Sequence, residues 1–191
     1  MEFESVVRRR RMVRNFEARP LPPEIVTRLV ANAQRGPSAG FTQGFELLVL
    51  SGPAETARYW NVSLPVEERD GFRWPGLLRA PLLIVFFAHP QAYLDRYAEP
   101  DKTPSEWPVP YWHVDTAFAA LLTLLTAVDA GLGAAFFRTF RPGPVRARFG
   151  VPAAYEPIGT VAVGYPAPDL PSSSVRRGRR PPADVAHRGN W

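Results

Sequence analysis

The densest run of chemistry-bearing side chains is Arg8-Arg9-Arg10-Arg11-Met12-Val13-Arg14-Asn15-Phe16. Each guanidinium offers a planar fork of donors matched to phosphate oxygens. Arg10 and Arg14 stand four apart, a spacing that lets them converge from a helix end and the turn after it. A solvated basic helix face and a nucleic-acid contact are the competing readings. Against nucleic acid, no stacking aromatics interleave with residues 8–14 or with the second cluster at 176–180, which lies among prolines. A second element, Gly36-Pro37-Ser38-Ala39-Gly40-Phe41-Thr42-Gln43, combines small residues that let a ligand approach the backbone with the polar groups of Ser38, Thr42 and Gln43. It also reads as an ordinary helix-to-strand loop. A third, Gly131-Leu132-Gly133 running to Arg138-Thr139, reads first as a helix cap with a tight packing contact.

Other chemistries lack their residues. His89, His113 and His187 are the only histidines, and none has a metal-ligand partner three to five residues on. His113 and Asp115, two apart, are expected on different faces of a helix. There is no GxSxG elbow for a nucleophilic serine, and no cysteine for thiolate or disulfide chemistry. Glu67, Glu68 and Asp70 read as a solvated turn rather than a catalytic carboxylate pair.

These groups must be positioned by a small framework. A length of 191 residues fits one domain, and 46% hydrophobic with 21% charged residues excludes a disordered chain. The net charge of +5 is concentrated in the two arginine clusters near the termini. The longest uncharged apolar-rich stretch, residues 116–128, has thirteen residues, short of the roughly 20 of a spanning helix. The opening Met-Glu-Phe-Glu reaches arginines before any apolar run, so no signal peptide is read and the cytoplasm is expected.

Helical spacing is expected over residues 3–11, over 24–34 after Pro20, Pro22 and Pro23, and over 111–130, where the apolar residues predict burial nearly all round. A shorter helix is expected near 54–60 and another at 144–149. Residues 45–50, 81–88, 134–137 and 158–163 read as strands. Residues 89–110, with Tyr93, Tyr97 and Trp107, are expected to form a long surface excursion. The tail from 166 carries almost no core pattern, yet ends in Trp191, so docking is expected. The order of elements is that of an α+β fold around a small sheet. A dinucleotide-binding Rossmann fold is not expected, since no GxGxxG follows a strand.

Taken in order, these segments resemble the FMN-dependent nitroreductase family. Arg10-Arg11-Met12-Val13-Arg14-Asn15-Phe16 resembles its Arg-Arg-Ser-x-Arg-x-Phe element, and Gly36 to Gly44 its Ala-Pro-Ser-x-x-Asn-x-Gln-Pro loop. Gly131-Leu132-Gly133 is similar to its Gly-Leu-Gly signal, Ile158 to Pro166 to its last core strand, and Arg179-Arg180-Pro181-Pro182 with Val185-Ala186-His187 to its C-terminal basic motif. The resemblance covers nearly the whole chain as one domain, 1–191. It implies a nitroreductase-like fold with a small mixed sheet flanked by helices, and an arm, residues 167–191, exchanged in a homodimer.

It further implies FMN at the interface between subunits. Arg10, Arg11 and Arg14, joined by Arg180, would hold the phosphate and ribityl oxygens. Pro37, Ser38 and Ala39 would pack on the isoalloxazine from the other subunit, and Gln43 would reach the ring's polar edge. The backbone around Arg138 and Thr139 would donate toward N5 and O4. NADH or NADPH would reduce the flavin, and a nitroaromatic, quinone or similar small aromatic acceptor would reoxidise it in a ping-pong cycle, with 89–110 as a lid over the acceptor. Neither nucleic acid nor membrane is an implied partner. Met12 replaces the family serine, Phe41 the asparagine, and Arg138-Thr139 the Glu-Gly of one branch. These departures leave room for a specialised relative, such as a flavin-remodelling dimethylbenzimidazole synthase, a dehydrogenase or a deiodinase. A non-catalytic flavin or phosphate binder is the third reading.

Overall fold

The fold follows from how one strand divides its side chains. A computed structural model describes residues 1–103, 106–170 and 172–191. Strand β2 (Leu82–Ala88) is buried along its whole length. Because side chains alternate across a pleated strand, its residues sort into two layers. Leu83, Val85 and Phe87 face one core, with Tyr59 and Trp60 from helix α3 (Pro53–Ser63) and Val145 from α6 (Pro142–Phe149). Leu82, Ile84 and Phe86 face the other, with Leu29 and Ala33 of α2 (Pro23–Ala33) and Ala119, Ala120, Leu124 and Ala127 of α5 (Tyr111–Asp129). A strand apolar on both faces must sit between two helical layers, which is the α+β arrangement expected.

The sheet has the order β1-β2-β4-β3, with β1 at Phe45–Ser51, β3 at Gly133–Phe137 and β4 at Glu156–Gly164. All three pairings are antiparallel, with Leu48 opposite Val85, Val85 opposite Thr160 and Phe136 opposite Val161. The expected mixed sheet is therefore corrected. The excursion over 52–81 leaves and re-enters at one end of the sheet, where Ser51 faces Leu82 and the Gly52 N–H donates to the Pro81 carbonyl at 2.9 Å, so β2 must run back along β1. Among the described residues, the parallel element is a single bridge between Met12 and Ala134.

Two further expectations change. Helix α5 buries one side, on Asp115, Thr116, Ala119, Ala120, Thr123 and Leu124, but leaves Phe118 38% and Leu121 44% exposed. With Tyr111 they form a stripe at helical spacing that this chain covers only in part. Although α5 has the length and mean hydropathy of a bilayer span, its buried side packs against α2 and the sheet. The excursion after β2 opens with helix α4 (Pro90–Tyr97), and Tyr93 is wholly buried rather than at the surface. Helix α1 spans Phe3–Arg9. The tail ends in short 3-10 turns at Ser173–Arg177 and Pro182–Asp184, and Trp191, 99% exposed, stacks on His187.

Candidate functional site

The N-terminal arginine segment is laid along the outer edge of β3. The Val13 N–H donates to the Ala134 carbonyl at 2.9 Å, and the Phe136 N–H meets Met12 Sδ at 3.3 Å. The approach is close because residue 133 is glycine, where a Cβ would stand 2.8 Å from Val13 Cγ1. Val13 and Phe16 are buried and anchor the segment. N–H groups alternate along a strand, so the outward donors of β3 are at 134 and 136 and the next in line is that of Arg138. Among the described residues, neither the Arg138 nor the Thr139 N–H donates to a backbone carbonyl. The Thr139 side chain is buried and hydrogen-bonded to the Thr160 hydroxyl at 3.0 Å, so only its backbone is free to serve a ligand. The Arg138 side chain is exposed and leans on the Phe140 ring.

The arginines are held by the start of the tail. The Glu17 N–H donates to the Tyr165 carbonyl and the Ala167 N–H to that of Asn15, zipping residues 15–17 to 165–167. This brings Asp169 to the Arg14 N–H at 2.8 Å, with the Arg11 guanidinium 3.8 Å from the same carboxylate oxygen. The Arg14 guanidinium lies over the Trp74 ring at 4.9 Å. Arg10 is half-buried beside them at the end of α1. Arg180 is not joined to this group within one chain, since it donates to the Asp184 carbonyl inside the exposed tail. Beside Arg14 opens a cavity of about 1060 Å³ between residues 73–79 and 168–176, lined among others by Arg73, Trp74, Arg79, Asp169 and Arg176.

The small-residue loop lies elsewhere, on α4 and the first turns of α5. Gly40, Phe41 and Gln43 all have φ between 54° and 61°, a left-handed conformation unfavourable for the two that carry a Cβ. Such a loop persists only when its surroundings over-determine it. Here the Ala39 N–H donates to Asp115 Oδ2 at 2.8 Å, and the Gln43 N–H donates to the Ser38 hydroxyl oxygen at 2.8 Å. Arg96 Nε donates to the Gly40 carbonyl at 3.1 Å, while its guanidinium forks onto Asp101. Asp115, 4% exposed, also accepts from the Tyr93 hydroxyl at 2.7 Å. Burial, reinforced by Asp115, pushes the Tyr93 phenol well above its ordinary value. Pro37 is exposed, Ser38 and Ala39 are half-buried, and the Gln43 amide folds toward the Phe41 carbonyl. Phe41 is 77% exposed at the tip.

The expected site residues thus fall into two groups: residues 10–14 with 138–139 at the β3 edge, and residues 37–43 on α4 and α5. His113 and Asp115 do take different partners, Glu156 and the loop. Of the expected acceptor lid, residues 104 and 105 lie outside the described residues. Its aromatics meet edge to face or tilted, with Trp107 against Tyr97 at 4.7 Å and near Tyr111 and Trp112, and with Tyr93 in the core beneath. Asp115, Trp74 and Asp169 were not singled out from sequence as site residues. An acid inside an otherwise apolar helix was the available signal for Asp115; Asp169 and Trp74 carried none.

The family model for the nitroreductase family matches residues 7–165, a span that includes both groups. The chain belongs to the nitroreductase family. Among curated relatives, this nitroreductase-family chain is 26% identical over 190 residues to the NADH dehydrogenase of Thermus thermophilus, covering 87% of this chain and 88% of that one. It is 26% identical over 189 residues to the 5,6-dimethylbenzimidazole synthase of Rhodospirillum rubrum, covering 92% and 87%. The structure of an FMN-dependent nitroreductase from Clostridium difficile R20291 shares the fold at a TM-score of 0.70 and 19% identity, over 97% of this chain and 98% of that one. The protein is accordingly an oxidoreductase.

Proposed function

We propose that the chain is an FMN-dependent NAD(P)H oxidoreductase that acts as a homodimer on nitroaromatic, quinone or similar conjugated acceptors. The observation that carries this reading is the β3 edge: an arginine segment running beside a strand whose next outward N–H, at Arg138, has no backbone partner. The donor set fits FMN, which needs cationic forks for a phosphate and neutral N–H donors for the polar edge of its ring. Arg10, Arg11 and Arg14 hold the phosphate and ribityl oxygens, with Arg180 added by the arm. The N–H groups of Arg138 and Thr139 would be the donors available to the polar edge of the ring. When bound, FMN supplies two-electron hydride acceptance and donation.

The second group completes the site from another copy. Pro37, Ser38 and Ala39 of one protomer cover the ring held by its partner, and Gln43 reaches its polar edge. The partly exposed stripe of Tyr111, Phe118 and Leu121 and the exposed, tryptophan-tipped arm support this assembly. The names of the relatives, an NADH dehydrogenase and an FMN-dependent nitroreductase, point the same way. The dimethylbenzimidazole synthase relative, matched at equal identity, supports a flavin-remodelling activity as the second reading.

The test is the visible spectrum of the purified protein before and after anaerobic NADPH or NADH. Flavin bands that bleach are expected; bands that persist with both donors favour the second reading. Arg10→Ala and Arg14→Ala should each weaken flavin retention with the fold intact, and full occupancy in both refutes the phosphate assignment.

A further inference from the structure

The cavity beside Arg14 carries three guanidiniums beyond the one assigned above to the flavin phosphate. Its rim carries four guanidiniums, from Arg14, Arg73, Arg79 and Arg176, against one carboxylate, Asp169. That carboxylate is already engaged by the Arg14 N–H and faces Arg11. Among the described residues, no carboxylate lies within 4 Å of the Arg73, Arg79 or Arg176 guanidinium, whereas Arg8, Arg28, Arg96 and Arg141 are each paired with one. Arg79 donates to the neutral Asn15 side-chain oxygen, and Arg73 stacks on Trp74 at 5.1 Å, opposite in kind to an ion pair. The cavity therefore offers guanidinium forks that no carboxylate neutralises, two of them resting on the Trp74 ring.

The cavity adjoins the arginine segment of the β3 edge, beside the place where a nicotinamide ring would meet the flavin, and the two donors differ in their adenosine halves by one group. NADH presents an uncharged ribose 2′-hydroxyl; NADPH presents a 2′-phosphate, whose oxygens guanidinium forks match in charge and geometry. This rim has arginines and no free carboxylate. We propose that Arg73, Arg79 and Arg176 form the subsite for the 2′-phosphate of NADPH, making NADPH the preferred donor. The donor role rests on the flavin reading above; the recognition of the phosphate does not.

The probe is adenosine 2′,5′-bisphosphate against 5′-AMP, titrated by calorimetry into the purified full-length protein. The bisphosphate should bind at least about tenfold tighter, as two exposed charge-assisted contacts allow. In the Arg73→Ala/Arg79→Ala double variant, and separately in Arg176→Ala on the exposed tail, the preference should fall toward unity while flavin content stays at the wild-type level. The ratio of kcat/KM for NADPH over NADH should fall with it. Equal binding of the two nucleotides by the wild type overturns the proposal. So does loss of flavin from folded variants, which would assign these arginines to the flavin phosphate. A protein that takes up no flavin but still prefers the bisphosphate leaves the subsite standing and removes the donor role alone.

Discussion

Asp115 is the pin of the small-residue loop, and its removal has a calculable consequence. One carboxylate oxygen accepts both the Ala39 N–H at 2.8 Å and the Tyr93 hydroxyl at 2.7 Å, in a side chain 4% exposed. Asp115→Ala leaves both donors without that acceptor, in surroundings where each orphaned group costs about 1–3 kcal/mol. The expected loss is about 3 kcal/mol, or a melting point lower by about 6–12 °C in a chain of this size. The loop also loses its restraint against the left-handed strain at Phe41 and Gln43. Asp115→Asn keeps an acceptor oxygen but not its charge, and should lose less than half as much. Urea unfolding at neutral pH measures the stabilities, and flavin titration measures the loop's contribution to the site. An alanine variant within about 1 kcal/mol of wild type, or an asparagine variant as damaged as the alanine one, refutes the reasoning.

Further outcomes can be read with the same measurements. Gly133→Ala should cost about 1–3 kcal/mol by driving a Cβ into Val13, and should loosen flavin; adding Val13→Ala should recover most of both. Light scattering should show the proposed dimer, twice the 21.3 kDa chain mass, and Leu121→Arg on the exposed stripe of α5 should yield monomer with the helical spectrum retained. Alkali should destabilise the fold. Burial raises the phenols of Tyr93 and Tyr59 above their ordinary value of 10.0. The unfolded chain therefore releases these protons first, so their contribution is complete below pH 10 and is lost as pH rises beyond it. Tyr93→Phe should flatten that decline in urea midpoints measured between pH 9 and pH 11.

Element limits were legible because they are written locally. Proline at a first turn, glycine at a helix end and apolar periodicity located α2, α5, β2 and β4 to within a few residues. The arginine segment and the Pro37–Gln43 loop were legible as residue types able to bind anions and approach a ligand, and the ordered set of motifs pointed to the family. What failed was anything that depends on coverage. The apolar residues of α5 predicted burial nearly all round, whereas Phe118 and Leu121 are left partly exposed, because composition does not say what covers a helix face. The aromatic content of residues 89–110 suggested an excursion, while Tyr93 is in the core because Asp115 waits there for its hydroxyl.

Local chemistry along the chain therefore sets the alphabet of this protein: an α+β chain, apolar strands between helical layers, cations near both ends and a small-residue loop. Those properties arise from backbone sterics and side-chain chemistry within a few residues. Only the tertiary structure decided which groups meet. Arg14 reaches Asp169 across 155 positions, Ala39 reaches Asp115 across 76, and Met12 reaches β3 because Gly133 leaves room for Val13. Such pairings are settled by packing of the whole core, since a hydrogen bond between distant residues forms only where the sheet and helices have already fixed both partners in place.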